Sequence, residues 1–466
     1  MPDKQKVLVL VPDGVSLRNF AYTRFYEIGQ SQDLDVIFWN NTSFDLEELG
    51  ISQIVVKNAK THFLTNLYKT AKIHIELRLN EQRTNDEVYR TYVFPLSYTS
   101  FSNVLKISYI KWLGWRFRSQ KGLSAIRKKI GRLERKTSYY SDCMETLTQQ
   151  RPAMIFCTSQ RSSVAIAPIT AAKDLGIPTA TFIFSWDNLP KATLLLETDF
   201  YFVWSDHMKS QLLGYYPNIA ASQIIVTGTP QFEMHGDAGL LQSRESFFGE
   251  YGLDTDKKYI CYSGDDITTS PDDPQYLADV ADAIRELNAA GYNLGIIFRR
   301  CPVDFSDRYD AVLNRNSDII APVSPKWEQV GKAWNNVLPM KDDIRVQFNT
   351  IVHSEMVVNL GSSMVFDYAA FGKPCAYINY DVKNRSRENW STQKIYSFVH
   401  FRSMPKNAVA WLNSAETIAT SISSVLLNGS QTIGEAKRWF EIINLHPTAE
   451  ASRRIWEQCK NVIHKS

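Results

Sequence analysis

The sequence predicts an α/β protein built on two doubly wound parallel sheets, and three observations predict it. Short apolar runs closed by turn residues recur along the chain with helical stretches between them, the β-α-β spacing of a parallel sheet. The series breaks after Pro230 and starts afresh at Tyr259. The chain has 466 residues, 44% hydrophobic and 22% charged, and at roughly 100–200 residues per domain it fits two to three folded domains.

The elements follow in order. Val7 to Val11 is a buried strand ended by Pro12-Asp13-Gly14, which leaves a loop at its carboxyl end. Phe20 to Gln30 is a helix, Leu34 to Trp39 a second strand and Ile51 to Val56 a third. Residues 60–150 read differently. Apolar residues recur at helical spacing from His62 to Leu79, a basic block follows, and a polar helix runs to about Gln150, so this stretch is expected to be a helical, basic insertion. The α/β pattern returns with a strand at Ala153 to Cys157, the loop Thr158 to Ser163, and a helix from about Val164 to Leu175 stopped by Gly176. Further strands are expected at Thr179–Phe184, Asp199–Trp204 and Gln223–Val226. Residues 231–257 read as a polar, mostly irregular linker. The second series places strands at Tyr259–Tyr262, Leu294–Phe298, Ile319–Pro322, Met356–Asn359 and Cys375–Ile378, with a helix at about Gln275–Ala290. The expected domains are 1–232, 233–432, and a helical segment 433–466 that crosses back to the first.

Composition excludes several classes. The six cysteines are scattered without a CxxC pair, which argues against a disulfide scaffold and a structural zinc site. The eight histidines form no HxxxH or HExxH, and no GxSxG elbow, Walker loop or tight GxGxxG occurs. The Asp33-Leu-Asp35 and Asp254-Thr-Asp256 triplets lie at or before strand starts, so no metal is expected. No apolar run approaches the roughly 20 residues of a membrane span, and a cytoplasmic location is expected. The net charge of +3 conceals an asymmetry. Lys106 to Lys136 holds eleven Lys/Arg against the single acid Glu134, which leaves the remainder of the chain net negative. With Tyr109, Trp112, Trp115 and Phe117 among the charges, residues 106–136 suggest peripheral contact with the inner face of a membrane. Nucleic acid is the weaker alternative and a solvated helix pair the plainest one.

Ligands of open α/β sheets bind beyond the carboxyl ends of the strands, and two such domains are expected to face a cleft. The strongest constellation is Asn359-Leu-Gly361-Ser362-Ser363, followed by Asp367. A strand ends at a glycine and two hydroxyls open a helix whose free N–H groups suit a phosphate, with Asp367 one turn on for ribose hydroxyls. A plain serine N-cap is the other reading. Arg299 and Arg300 follow a strand and can clamp a diphosphate, or else pair with Asp304 or Asp307. Ser263-Gly264 offers close backbone approach to a phosphate, or a simple turn.

The 359–374 run, ending Gly372-Lys373-Pro374, resembles the donor-binding segment of GT-B glycosyltransferases. Arg299-Arg300-Cys301-Pro302 resembles the Arg-x-His-Pro turn of related polysaccharide-assembly transferases, with Cys301 in place of the histidine. Ser185-Trp186-Asp187-Asn188-Leu189, Val203-Trp204-Ser205 and Val226 to Phe232 are similar to bacterial surface-polysaccharide members. The resemblance spans about residues 150–450. It implies two Rossmann-like domains and a nucleotide-sugar donor bound by Ser263, Gly264, Arg299, Arg300, Gly361, Ser362, Ser363 and Asp367. It also implies a saccharide or lipid-linked acceptor near Arg18, Asn19, Trp186 and Asn188. The acid that would pair with Asp367 in retaining members falls on Asn359, which leans towards inversion by a base from the first domain. Asp13 is the first candidate for that base and Asp187 the second. Alternatives are a nucleotide-sugar 2-epimerase, which would need more acids and histidines around the sugar, a polyol-phosphate transferase, and a non-catalytic polyanion or membrane binder.

Overall fold

Alternation along the first strand sets the architecture of the N-terminal unit. In Gln5–Val11 (β1) every residue from Val7 to Val11 is fully buried, because both faces of the strand are covered. The computed structural model describes residues 4–94, 98, 100–329 and 337–465, in two compact units. The first comprises Met1–Pro230 with Glu450–Ser466, the second Gln231–Ala449.

In the first unit β1 is joined by Leu34–Asn40 (β2), Gln53–Val55 (β3), Met154–Cys157 (β4), Thr179–Phe182 (β5), Phe200–Val203 (β6) and Ile224–Val226 (β7). All pair in parallel, in the order β3-β2-β1-β4-β5-β6-β7. One face, carrying Leu8, Leu10, Trp39, Ile155 and Cys157, packs on the insertion. That insertion is helical throughout its main elements, Thr65–Thr84, Phe101–Arg116, Gln120–Glu134 and Ser138–Gln150, which contribute Tyr68, Ile75, Ile110, Leu113, Ile126, Ile130 and Leu147 to the same core. The opposite face is aromatic, with Phe25 within 5.9 Å of Phe156 and 4.6 Å of Trp456 between ring centroids. Trp456 lies on the terminal helix Ala451–Lys465, and its indole N–H donates to the Phe25 carbonyl at 2.7 Å.

In the second unit Lys258–Ser263 (β8), Leu294–Arg299 (β9) and Ile320–Pro322 (β10) precede a small antiparallel pair, Trp327–Gln329 (β11) and Val337–Pro339 (β12). Val357–Asn359 (β13), Cys375–Ile378 (β14) and Ala410–Leu412 (β15) complete a parallel sheet ordered β10-β9-β8-β13-β14-β15. The helix Ser430–Ile443 packs on Met364–Ala370 through Phe366, which sits 4.9 Å from Trp439 and 5.5 Å from Phe440 between ring centroids.

Several local expectations change. The helix expected over 20–30 is two, Val15–Phe20 and Phe25–Ser31. The stretch read as an irregular linker contains the helix Arg244–Tyr251, because Phe247 and Phe248 are fully buried against Tyr259, Ile297 and Val346. Of the segment 433–466, Ser430–Ile443 belongs to the second unit and Ala451–Lys465 to the first.

Candidate functional site

Each sheet reverses its strand order once, and the loops at that reversal are where an open α/β sheet leaves a crevice. In the second unit the reversal falls between β8 and β13. After β13 the chain turns at Gly361, whose φ is +75°. A Cβ there would also lie 2.9 Å from Phe401 Cζ, so both conformation and packing require glycine. The Ser362 N–H donates to Asn359 Oδ1 at 2.9 Å, and Ser362 Oγ accepts from the Met364 N–H at 3.4 Å. Gly361, Ser362 and Ser363 are half-buried. Asp367, one turn on, is turned inward. Its carboxylate meets His235 Nε2 at 2.8 Å and accepts from Gln347 Nε2 at 3.3 Å, with a side chain only 5% exposed. This position differs from the exposed one that ribose binding calls for, because His235 already occupies the carboxylate.

The facing loop after β8 is acidic. Gly264 is needed for packing, since a Cβ would approach the Tyr309 hydroxyl at 2.9 Å and Asp273 Oδ2 at 3.2 Å. Ser263, the last residue of β8, is paired in register with Arg299. Burial, reinforced by the Asp273 and Asp266 carboxylates, holds the Asp265 carboxyl well above the usual range. Asp265 Oδ2 is buried without a hydrogen-bond partner among the described residues. Asp273 is likewise raised by burial although it accepts from the Tyr309 hydroxyl at 2.6 Å and from Ser270 Oγ at 2.8 Å. Cys301, standing where the resembled turn has histidine, is pushed up to about 12, first by burial and then by Asp265. Of the two arginines, Arg299 is held in a buried ion pair with Asp343 at 2.8 Å, not in the pairing with Asp304 or Asp307 offered as an alternative. Its side chain is only 5% exposed, so the guanidinium is committed to that buried pair. Arg300 is only partly covered; it donates to the Ser306 carbonyl at 2.7 Å, and its guanidinium lies 5.4 Å from the Tyr309 ring centroid.

In the first unit the reversal falls between β1 and β4. The loop after β1 supplies Asp13, which accepts from Ser16 Oγ at 3.1 Å and from the Ser16 N–H at 3.3 Å. Burial raises its carboxyl against the opposing charge of Arg161. Arg161 comes from the loop after β4, and its guanidinium lies 5.1 Å from the Phe184 ring centroid. Burial lowers the guanidinium's affinity for its proton, while Asp13 and Asp187 both support the charge. Asp187 comes from the loop after β5. It accepts from Ser185 Oγ at 2.6 Å and from Asn188 Nδ2 at 2.9 Å, and it pairs with Lys191. Loops after three adjacent strands thus bring Asp13 and Asp187 within electrostatic reach of Arg161. Lys69, from the insertion helix Thr65–Thr84, donates to the Arg161 carbonyl at 3.3 Å and Ser163 Oγ at 3.0 Å. It is pushed down to about 8 by burial, then by Lys72 and Arg161.

Of the residues expected around an acceptor, Asn188 is buried in a chain with Gln160, whose Nε2 donates to Asn188 Oδ1 at 2.9 Å. Trp186 is also buried, and Arg18 sits half-buried in the last turn of Val15–Phe20. Asn19 is buried with Nδ2 unpartnered among the described residues. Sequence reasoning missed Arg161, Lys69, Asp265 and His235. Arg161 and Asp265 were in view as parts of polar loops after strands, whereas nothing local marked Lys69 or His235. Among the described residues no three His, Cys, Asp or Glu side chains group as a metal site would, and no helix is long and apolar enough to cross a membrane.

No protein-family model matches the chain and no curated protein matches it. Solved structures do. S. aureus MnaA, solved with UDP, aligns at TM-score 0.54 and 11% identity over 99% of this chain and 97% of that one. A glycosyltransferase from Rickettsia africae aligns at 0.52 and 12% over the whole of both chains. UDP-GlcNAc 2-epimerase from Methanocaldococcus jannaschii aligns at 0.51 and 11% over 98% and 99%. At these identities the likeness shows the fold, and the chain has the GT-B fold of two Rossmann-like α/β domains.

Proposed function

We propose that the chain is a GT-B glycosyltransferase that moves a sugar from a nucleotide-sugar donor to a saccharide or lipid-linked acceptor in surface-polysaccharide assembly, with inversion and without a metal. The observation that carries this reading is that Asp13 and Asp187, on loops after adjacent strands at the reversal of the first unit, both act electrostatically on Arg161. A carboxyl raised by burial is suited to act as a base near neutral pH, and the Arg161 charge opposes that rise. Asp13 takes the proton of the acceptor hydroxyl. The freed oxygen attacks the anomeric carbon, the bond from that carbon to the diphosphate oxygen breaks, and its electron pair leaves with the nucleotide. Asp13 then returns the proton to solvent. Asp187, engaged by Lys191 and Ser185, orients Arg161.

In the second unit, Ser263, Gly264 and the Gly361–Ser363 turn border the nucleotide, and Arg300 offsets the departing diphosphate. Arg299 and Asp367 position these loops through Asp343 and His235. The raised Asp265 carboxyl can donate a hydrogen bond to a phosphate oxygen while it is protonated.

The test is a thermal-shift screen against UDP, GDP, dTDP, CDP and CMP and their sugars, followed by turnover of Asp13→Asn. A nucleotide that binds the folded state raises the melting temperature by mass action. Asp13→Asn is expected to keep that shift and lose about 100-fold or more in turnover. Undiminished turnover removes Asp13 from the mechanism.

A second reading, a nucleotide-sugar 2-epimerase, draws on the acids Asp265, Asp266 and Asp273 around the second unit's reversal. Release of an epimerised sugar nucleotide without any acceptor, followed by NMR, would favour it over transfer.

A further inference from the structure

The insertion helix Phe101–Arg116 is apolar on two opposite faces, and only one of them is used by the core. Ile107, Ile110 and Leu113 are buried against the helices Thr65–Thr84 and Gln120–Glu134. On the other side Phe101 is 79% exposed, Leu105 57%, Trp112 49% and Trp115 63%. At 3.6 residues per turn these four fall within about 80° of one another, a single stripe along a helix of about 24 Å. None of them contributes to the hydrophobic core clusters among the described residues.

The borders of the stripe say what covers it. Lys111 and Arg116 flank it on either side, both exposed, and Arg118 and Lys121 continue the charge beyond the helix end. No acid stands between Lys106 and Leu133. The remaining part of the basic block is partly committed elsewhere. Arg127 is bound to Glu76 at 2.7 Å and Arg135 to Asp174 at 2.6 Å, while Lys128, Lys129, Arg132 and Lys136 are exposed and continue the basic surface along the chain. Aromatic side chains at the centre with cations at the rim match the depth profile of a lipid interface, where indole rings sit at headgroup level and Lys/Arg meet anionic headgroups. A nucleic-acid duplex, by contrast, is held chiefly by cations set against its phosphates rather than by an aromatic stripe.

We propose that the outer face of Phe101–Arg116 docks the protein on an anionic lipid bilayer, with Phe101, Leu105, Trp112 and Trp115 entering the interface and Lys111 and Arg116 bound to headgroups. This surface belongs to the first unit alone and stands whether the chain transfers or epimerises a sugar.

The experiment is co-sedimentation of the full chain with phosphatidylcholine vesicles, with and without phosphatidylglycerol, at low and raised salt. The chain is expected to pellet with phosphatidylglycerol vesicles only, and less at raised salt. Trp112→Ser/Trp115→Ser is expected to weaken that binding about tenfold or more. Both side chains are exposed, so circular dichroism and the melting temperature should match wild type. Lys111→Glu/Arg116→Glu tests the charged rim separately and should also release the vesicles. Equal pelleting with neutral vesicles, or an unchanged Trp112→Ser/Trp115→Ser variant, overturns the proposal. So does a self-associated or polynucleotide-bound chain in which the same variant abolishes that association and the chain ignores vesicles.

Discussion

Replacing Glu76 by Gln removes the buried anion from a cluster of charges whose other anion, Glu197, is half-exposed and lies 3.8 Å from Arg127. Glu76 Oε2 meets Lys72 Nζ at 2.7 Å, and Glu76 Oε1 meets Arg127 Nη2 at 2.7 Å. The side chains of Lys72, Glu76 and Arg127 are 1%, 5% and 10% exposed. Lys72 also donates to the Leu194 carbonyl at 2.5 Å, and Arg127 to Asn218 Oδ1 at 2.9 Å. The cluster therefore ties two insertion helices to the chain following β5. Burial pulls the Lys72 ammonium down despite Glu76, whereas Arg127 is raised because Glu76 outweighs its burial. Of the two cations Lys72 is thus the one left most exposed to the loss. With Gln at 76, Lys72 and Arg127 keep only the half-exposed Glu197 as counter-ion, and breaking a buried pair in this way costs about 3–5 kcal/mol. For a unit of this size about 2–4 °C per kcal/mol translates that into a melting shift of roughly 10 °C. The assay is a thermal and urea melt with hydrogen exchange on Thr65–Thr84 and Gln120–Glu134, which should lose protection together. Glu76→Gln/Lys72→Met, which also removes a cation, should recover part of the loss. A Glu76→Gln protein within about 1 kcal/mol of wild type would refute the reasoning, because it would mean water reaches the cluster.

Gly361→Ala should cost more than about 1 kcal/mol, from a positive φ and a contact with Phe401 that cannot be relieved locally; equilibrium denaturation reads it, and a nucleotide-induced melting shift should weaken as well. Lys69 is lowered from 10.5 to about 8, so between those values the unfolded chain holds a proton that the folded one has released. Stability from this group therefore rises with pH, and the penalty for its buried charge is fully present below about pH 8. The stability difference between Lys69→Met and wild type should accordingly favour the variant most near neutral pH and shrink as pH rises, as urea midpoints across that window would record. Arg299→Met and Asp343→Asn should each lower stability through the unpaired partner, by about 3–5 kcal/mol, while the double variant loses less than the sum, a non-additivity that a double-mutant cycle measures.

The strands and their loops were legible because parallel strands buried on both faces must be written as short continuous apolar runs, and Pro12-Asp13-Gly14 and Leu360-Gly361 carry their own turn chemistry. The same periodicity argument found the helical insertion and its basic block. It failed on Arg244–Tyr251, where two adjacent phenylalanines anchor a helix in a stretch otherwise polar.

Local pattern by itself determined that the chain alternates β and α in two series, that Asp13, Asp187 and Gly361 stand just after strands, and that one block is strongly basic. It could not determine strand order, and order is what brings loops some 150 residues apart onto one crevice. Only the tertiary structure set Arg161 with Asp13 and Asp187, turned Arg299 to Asp343 and Asp367 to His235, and joined Glu76 to Arg127. A charge in the sequence carries no record of its partner. Burial makes the pairing obligatory, and burial is a property of packing between elements that are distant in sequence.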